Sequence, residues 1–325
     1  MKKEYGGYLP LETQNHKQNE YYKCYKKFDL IKLNSGRACF YFAAKLSKIK
    51  LIYLPYFTCK ETEVPFKECG IEIKKYYLNE KLLPFNINPK KDEFLLWTNY
   101  YGNASFNDIK YIKNKYKNLI IDNCHAFFSK PINNAYNCYS TRKFFGVSDG
   151  AYLVKDKLSL DFKIDKDTSY ENYIHLLKQL DIGTDAGYKE NLINERRLNS
   201  NYKGMSRLTE NLLSNIDYKK IKNIRRANFL RMHKKLKGFN EFDVNIKSDT
   251  HMYYPFLFFK SNIRYSLIKN KIYNPFWWEH ILALVPEKSI EYKLSKYMIM
   301  LPIDQRYNFD DVDYICDNVM REISK

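Results

Sequence analysis

Residues 119–154 read LIIDNCHAFFSKPINNAYNCYSTRKFFGVSDGAYLV, and the order of residue types in this stretch decides the fold. The run 119–121 is short, apolar and bounded by polar residues, which is typical of a strand buried on both faces. Further apolar runs at 135–139 and 151–154 predict two more strands. Asp122 ends the first run, so we expect its carboxylate at the carboxyl end of a strand, where open α/β sheets bind ligands.

An acid and a lysine follow two of these strands. Asp122 ends the first, and Lys143 comes shortly after the second. This pair suits pyridoxal phosphate (PLP) chemistry, in which a lysine bonds to the cofactor aldehyde and an acid keeps the pyridine nitrogen protonated. At about 4 Å and an effective dielectric of about 20, such an ion pair is worth roughly 4 kcal/mol. The stretch alone also allows the alternative that Asp122 caps a turn and Lys143 is a surface lysine.

Composition narrows the class of protein. The chain has 325 residues, 45% of them hydrophobic, which is enough for a sizeable core. It contains no apolar run of the roughly 20 residues that a membrane span needs, and its first residues lack the apolar core of a signal peptide. We therefore expect a cytoplasmic protein without a membrane span. Seven cysteines without a CxxC pair favour reduced thiols over a disulfide framework or a metal site.

The formal net charge of +18 raises the question of nucleic-acid binding. The lysines, however, are spread along the whole chain, and no basic block, zinc-ligand spacing or RNA-binding aromatic signature accompanies them. The sequence therefore predicts no nucleic-acid partner. Attraction of a small phosphorylated substrate is the use of the charge that we expect.

Strands and helices alternate through the first half of the chain. We predict strands at 51–55, 70–77 and 94–102, and helices at 39–46, 61–69 (interrupted at Pro65) and 107–116. This alternation indicates a mostly parallel sheet with helices on both faces. Ser35 and Gly36 begin the helix at 39–46, and free backbone N–H groups there could cradle a phosphate. The alternative is an ordinary Ser N-cap.

The second half of the chain predicts a smaller unit. A helix is expected at 170–180 and a long helix at 205–236, and we divide the chain into a large domain (1–215) and a small one (216–325). The small domain has a predicted strand at 251–259 and a last helix from about Phe309. Trp277 and Trp278 could stack on a sugar or base, or pack in the core. Residues 1–30 read as a polar and aromatic arm with a loop at Gly6–Gly7.

The order of motifs resembles that of the fold type I PLP enzymes and, among them, the DegT/StrS family of sugar aminotransferases. Seven motifs carry the resemblance, which runs from about residue 30 to the C-terminus: NSGRA (34–38), LPYFT (54–58), NYYG (99–102), IDNCHA (121–126), Lys143 with DGA (149–151), NYKGMS (201–206) and LPID (301–304). The resemblance implies an α/β fold with a mostly parallel central sheet, helices on both faces and a smaller C-terminal α+β domain.

The resemblance also implies roles for single residues. Lys143 would be the Schiff-base lysine, Asp122 the partner of the pyridine nitrogen, and His125 a contact of the cofactor's phenolate oxygen. Two other lysines compete for the catalytic role. Lys130 lies in a loop before a proline and Lys155 lies beyond a strand, so Lys143 is preferred.

The phosphate of PLP would be held near the start of the first helix. By the resemblance, Ser35, Gly36 and Arg37 hold it. Asn201 and Lys203 would reach across a dimer interface to the phosphate of the neighbouring subunit. The resemblance therefore implies a homodimer with shared active sites.

Two positions depart from the family pattern. Similar enzymes usually stack an aromatic residue on the PLP ring where this chain has Cys59, so Tyr56 or Phe57 would substitute for it. Where they have a phosphate-binding serine, this chain has Cys138, so Ser140 or Thr141 would bind the phosphate instead.

The implied function is a PLP-dependent aminotransferase that converts a nucleotide-linked keto-sugar to an amino sugar for surface glycan biosynthesis, with an amino acid donor such as glutamate. Two alternatives stay open. The departures at Cys59 and Cys138 could mark a catalytically degenerate protein that acts as a binding or scaffold subunit in glycan assembly. A PLP-dependent sugar dehydratase is the other, but Lys143 argues against it because similar dehydratases have His at that position.

Overall fold

The computed structural model describes residue 11 and residues 21–248, 251–260 and 262–325. Within these residues, the first eight strands form one sheet in the order β1-β8-β7-β6-β5-β2-β3-β4. In chain order they are β1 (Asp29–Leu33), β2 (Leu51–Pro55), β3 (Glu72–Leu78), β4 (Pro84–Phe85), β5 (Phe94–Thr98), β6 (Leu119–Asp122), β7 (Ala135–Ser140) and β8 (Ala151–Lys155). A separate antiparallel pair is formed by β9 (Tyr254–Leu257) and β10 (Met298–Leu301).

The large sheet is mostly parallel, as the sequence predicts. The neighbours β7, β6, β5, β2 and β3 all run in one direction. By contrast, β8 is antiparallel to both β7 and β1, and β4 is antiparallel to β3. In register, Asp122 on β6 lies between Thr98 on β5 and Cys138 on β7. The carboxyl ends of these three strands therefore meet at one edge of the sheet.

Ten α-helices surround the strands in the described residues. They are α1 (Gly36–Ser47), α2 (Val64–Glu68), α3 (Phe106–Lys115), α4 (Ile174–Asp181), α5 (Tyr188–Arg197), α6 (Arg207–Ser214), α7 (Tyr218–Leu236), α8 (Arg264–Lys269), α9 (Ile290–Tyr297) and α10 (Phe309–Ile323). Local chemistry fixes where several of them begin. Ser105 and Asp108 form a capping box on α3, and Asn308 and Asp311 form one on α10. None of the helices in this part of the chain has both the length and the apolar character that a membrane crossing requires.

Three apolar cores account for the packing. Side chains alternate along the strands, so one core lies on each face of the large sheet. Leu96 and Ile120 pack with α1 on one face, whereas Trp97 and Ile121 pack on the other. The third core joins the second half of α7 to β9, β10, α8 and α10. The boundary at 215/216 stays a prediction.

The structure corrects two predicted helices. The break expected at Pro65 comes just before it: Lys60–Thr62 form a separate 3₁₀ helix, and Pro65 lies in the first turn of α2, where its missing N–H costs no hydrogen bond. The single helix predicted at 205–236 is two helices. Residues 215–217 separate them, since Asp217 turns the chain and its side chain accepts a hydrogen bond from Lys220 N as the cap of α7.

Other elements are absent from the sequence prediction. β1 begins at the end of the segment read as an arm (1–30) and extends beyond it, and α5, α8, α9, β4 and β10 were not predicted. The strand predicted at 251–259 is limited to the four residues of β9. The loop predicted at Gly6–Gly7 lies outside the described residues.

The buried amide of Asn137 on β7 should be essential for stability. Its Nδ2 donates to the carbonyls of Ile132, Ala135 and Val154 at 2.9, 2.9 and 3.2 Å, and its Oδ1 accepts from Ile132 N at 2.8 Å. Asn137→Ala leaves buried backbone groups unpaired, so we expect the free energy of unfolding to fall by about 3 kcal/mol. Urea denaturation measures it. Exposed Asn114 on α3 is the matched control, and an equal loss in Asn114→Ala would contradict the assignment.

Candidate functional site

The candidate site lies at the carboxyl ends of β6 and β7. Asp122 is the last residue of β6, and His125 follows it by one turn of loop. β7 ends at Ser140, and a tight turn in which Phe144 N and Phe145 N both donate to Thr141 O presents Lys143. Parallel neighbouring strands thus bring the acid and the lysine, which are distant in sequence, to one edge of the sheet.

Asp122 is a buried carboxylate with neutral donors. Its Oδ1 accepts from Cys124 N at 2.9 Å, and its Oδ2 accepts from the hydroxyl of Thr98 at 3.4 Å. Only 7% of the residue is exposed. Among the ion pairs of the described residues, none involves this carboxylate. A buried anion without a cationic partner is costly, so the site favours a ligand that presents positive charge to Asp122.

The side chain of Lys143 is exposed, and its charge reaches several groups of the site. Burial raises the pKa of Cys59, and Asp122 adds to this, whereas a hydrogen bond from Thr62 and the Lys143 ammonium act in the opposite direction. Burial also raises the pKa of Cys124, where Asp122 and Lys143 again have opposing effects. Asp122 and Lys143 thus both act electrostatically on Cys59 and Cys124.

His125 is buried beneath an indole ring. Its imidazole stacks on Trp277 with ring centroids 4.3 Å apart and planes 27° apart, and its Nδ1 has no hydrogen-bond partner among the described residues. Burial lowers the pKa of His125 well below its ordinary value, and the Lys143 ammonium lowers it further. The imidazole is therefore neutral at neutral pH and has one nitrogen free to bind a ligand.

Aromatic rings form one wall of the site. Trp277 also stacks on Tyr101 at 5.4 Å, and Trp278 meets Phe57 edge-on at 4.9 Å. The Lys143 ammonium lies 6.0 Å from the centre of the Trp277 ring. The sequence left the role of the two tryptophans open. In the structure Trp277 packs against His125 and lies near Lys143, so the tryptophans belong both to the apolar core and to the candidate site.

Arg264 was missed by the sequence analysis. Its guanidinium is buried and donates to Asn274 Oδ1 at 3.1 Å, to Pro275 O at 2.7 Å and to Met298 O at 2.7 Å. These bonds hold the loop that leads into the tryptophan wall. Since the contacts join residues that are remote from the site motifs, no local pattern could have indicated this role.

The start of α1 forms a cradle beside these residues. Ser35 caps the helix, because its hydroxyl accepts from Ala38 N at 3.1 Å. At Gly36 an added Cβ would lie 2.9 Å from Cys124 Sγ, so the backbone approaches the loop after β6 too closely for a side chain. The backbone N–H groups of the first turn of a helix have no partner within the helix, so this end is suited to bind an anion.

Arg37 and Arg142 both bind Glu195 on α5. Arg37 Nη2 lies 3.4 Å from Glu195 Oε2, its Nη1 donates to Asn199 Oδ1 at 2.5 Å, and Arg142 Nη2 donates to Glu195 Oε1. Burial acts to raise the pKa of Glu195, but the charges of Arg142, Arg37 and Lys143 outweigh it and lower the pKa to about 2. Glu195 and Arg142 were not among the residues predicted from the sequence.

Other predicted site residues lie at varying distance from this centre. Cys138 is fully buried in the core on the α1 face of the sheet, and Ser140 is the buried last residue of β7. Tyr56 packs against Tyr77, with ring centroids 4.6 Å apart, rather than against the site. Its proposed stacking role stays a prediction, as do the cofactor contacts of the two β7 residues.

Asn201 and Lys203 lie next to the cradle of their own chain. Asn34, which precedes Ser35, donates from Nδ2 to Asn201 O at 2.7 Å and from its backbone N to Lys203 O at 2.9 Å. These contacts use the backbone of the segment and leave its side chains available. Their reach to a neighbouring subunit stays a prediction.

No protein-family profile and no curated protein sequence matches the chain, but solved structures match most of its length. DesV of S. venezuelae, in complex with a ketimine intermediate, has a TM-score of 0.64 at 13% identity over 94% of this chain and 87% of that one. The E. coli GDP-4-keto-6-deoxy-D-mannose-3-dehydratase with bound hydrated PLP has a TM-score of 0.62 at 16% identity, over 94% and 91%.

A DegT DnrJ EryC1 StrS aminotransferase from Brucella abortus also matches, with a TM-score of 0.60 at 13% identity over 91% of this chain and 86% of that one. At such identities the matches show the fold. The chain therefore has the α/β fold of the DegT/StrS aminotransferases and of a related dehydratase, which confirms the fold that the sequence resemblance implied.

The depressed pKa of His125 should make stability depend on pH. As the pH falls below about 6.5, the unfolded chain takes up a proton at this histidine while the folded chain does not. Stability that is present above that pH is therefore lost on acidification. We expect His125→Asn to lose less free energy of unfolding than wild type between about pH 7 and pH 5, as measured by urea denaturation. Equal losses in the two proteins would contradict a neutral, buried His125.

Proposed function

We propose that this protein is a PLP-dependent aminotransferase that converts a nucleotide-linked keto-sugar to an amino sugar, with an amino acid such as glutamate as donor. The observation that carries the proposal is the placement of Asp122 and Lys143 at the carboxyl ends of the adjacent parallel strands β6 and β7. The fold of the solved structures that match the chain supports it, and some of those structures contain PLP or its amine form.

The residues present fit this cofactor. Asp122 lacks a cationic partner in the described residues and would pair with a protonated pyridine nitrogen. The free Nδ1 of His125 would meet the ring hydroxyl, and the cradle of Ser35 and Gly36 would hold the phosphate. When bound, PLP supplies an electrophilic aldehyde carbon and an electron-withdrawing ring.

The chain's own groups supply the rest of the chemistry. Lys143 Nζ would bond to the cofactor, be released by the amino donor, and then carry a proton between donor carbon and cofactor as a general base. Its exposed side chain has the freedom that both tasks require. The neutral imidazole of His125 avoids adding a second cation beside it.

The substrate and setting are inferred from the same resemblance. The net charge of +18 suits a substrate that carries phosphate groups, as a nucleotide-linked sugar does. We propose a cytoplasmic role in surface glycan biosynthesis. A dehydratase is the second candidate, because a dehydratase is among the matching structures, but Lys143 favours amino transfer.

Uptake of PLP tests the proposal. We expect the protein purified with PLP to show the visible absorbance band of a lysine-bound cofactor, and Lys143→Ala to lose it because the amine that forms the bond is gone. Lys130→Ala and Lys155→Ala are matched controls that should keep the band. Absence of the band in wild type, or its retention in Lys143→Ala, would refute the assignment.

Reaction with an amino donor separates the enzyme from the scaffold alternative. In an aminotransferase, glutamate added without a keto acid should bleach the visible band as the cofactor takes up the amino group. A binding or scaffold protein, for which the departures at Cys59 and Cys138 speak, would hold PLP and leave the band unchanged with every amino acid tried.

We further propose that the protein is a homodimer with α4 at the interface. No residue of α4 is buried in the described structure, and its apolar side chains Leu177 and Leu180 are 53% and 82% exposed. A second copy would cover this face. The helix lies in the segment between β8 and Asn201, and the resemblance implies that Asn201 reaches across a dimer interface.

Charge on this face should separate the subunits. We expect Leu177→Glu with Leu180→Glu to convert a dimer to a monomer, because two carboxylates would have to be buried in an apolar contact. Sedimentation equilibrium measures the mass. Leu284→Glu, at an exposed apolar residue outside α4, is the control and should stay dimeric. A dimer that persists in the double variant would place the interface elsewhere.

A further inference from the structure

Glu195 joins the two arginines nearest the predicted catalytic lysine. Arg142 immediately precedes Lys143 in the chain, and Arg37 follows the cradle residue Gly36. Their guanidinium groups converge on the two oxygens of the Glu195 carboxylate, Arg142 on Oε1 and Arg37 on Oε2. A carboxylate from the chain itself therefore bridges the arginine beside the lysine and the arginine beside the cradle.

The helix that presents Glu195 is fixed to the site on both sides of that residue. Asn194 donates from Nδ2 to Ser148 O at 2.7 Å, in the loop that follows Lys143. Arg197 donates to Asp167 Oδ2 at 2.7 Å, and the same oxygen accepts from Asn34 beside the cradle. The backbone of α5 is thus anchored on both sides of Glu195.

Burial distinguishes the partners. The side chains of Arg37 and Arg142 are 14% and 15% exposed, whereas that of Glu195 is 44% exposed. Glu195 is therefore the partner that can rotate into solvent, at the cost of its ion pairs, while the less exposed arginines stay at the site. The two arginines therefore stay in place, and the Glu195 carboxylate is the group that another anion could replace.

The single negative charge of Glu195 does not neutralise the positive charges around it. Three cations, Arg37, Arg142 and Lys143, act on this single carboxylate. In addition, Arg142 Nε is buried and has no hydrogen-bond partner among the described residues. The arginines therefore retain both positive charge and an unused donor, which a bidentate oxyanion could satisfy.

We propose that Arg142, with Arg37, is the receptor for the carboxylate of the amino donor, and that Glu195 occupies this receptor until the donor displaces it. The inference rests on the proposed function. An α-amino acid has its carboxylate on the same carbon as its amine, so the receptor must lie beside the lysine where the amine reacts. Arg142 meets this requirement because it adjoins Lys143. Glu195 would thereby keep the receptor closed to other small anions.

Calorimetric titration with glutarate, a dicarboxylate without an amine, tests the inference on the PLP-loaded protein. We expect Glu195→Gln to bind glutarate about tenfold more tightly than wild type, since the competing charge is gone, and Arg142→Gln to bind it about tenfold more weakly. Asp313→Asn is the matched control, because Asp313 on α10 also contacts two cations, Arg231 and Lys235, which both lie on α7. Its glutarate affinity should equal that of wild type.

The outcomes are separable. Weaker or unchanged binding in Glu195→Gln would overturn the inference and make Glu195 a residue that only positions the arginines. Unchanged binding in Arg142→Gln would overturn it as well. Glutarate that binds the cofactor-free protein but is excluded once PLP is loaded would assign the arginines to the cofactor phosphate and contradict a donor receptor. Failure of the proposed function is read independently, from the absence of the visible PLP band in wild type.

Discussion

The parallel pairing of β6 with β7 is the constraint on which the site depends. The register places Asp122 opposite Cys138, so the acid and the turn that presents Lys143 leave the sheet at the same edge. A shift of one residue in this ladder would turn Asp122 to the other face of the sheet and separate it from the lysine. The apolar side chains of β6, buried on both faces, fix that register because a slip would exchange the partners of both cores.

Local signals in the sequence sufficed for six of the eight strands of the large sheet. The run 119–121 and the stretches before Ser140 and Lys155 have the apolar character of buried strands, and each is a strand in the structure. β1 was not predicted, because Lys32 interrupts its apolar residues and its sheet partner, β8, lies more than a hundred residues away. The break between α6 and α7 was not predicted, because helical spacing of apolar residues continues through it. The N-cap at Asp217 determines where α7 begins.

The residues of the candidate site likewise fall into those that a local sequence pattern marks and those that it does not. Asp122 and Lys143 could be found from the sequence because each follows an apolar run, and a strand end is a local feature. Glu195, Arg264 and the packing of Trp277 on His125 could not. Each depends on a contact between segments far apart in the chain, made by an ordinary polar helix or loop with no spacing that marks it. Such groups are chosen by tertiary packing, which a linear pattern does not encode.

The close approach of Gly36 to Cys124 limits how the chain can diverge. The sulfur of Cys124 fills the volume that a methyl group at position 36 would need, so the side chains at these two positions compete for the same space. A descendant that gains a side chain at the first position has to acquire a smaller residue at the second. Substitutions there should consequently appear as compensated pairs, linking the evolution of the first helix to that of the loop behind the acid.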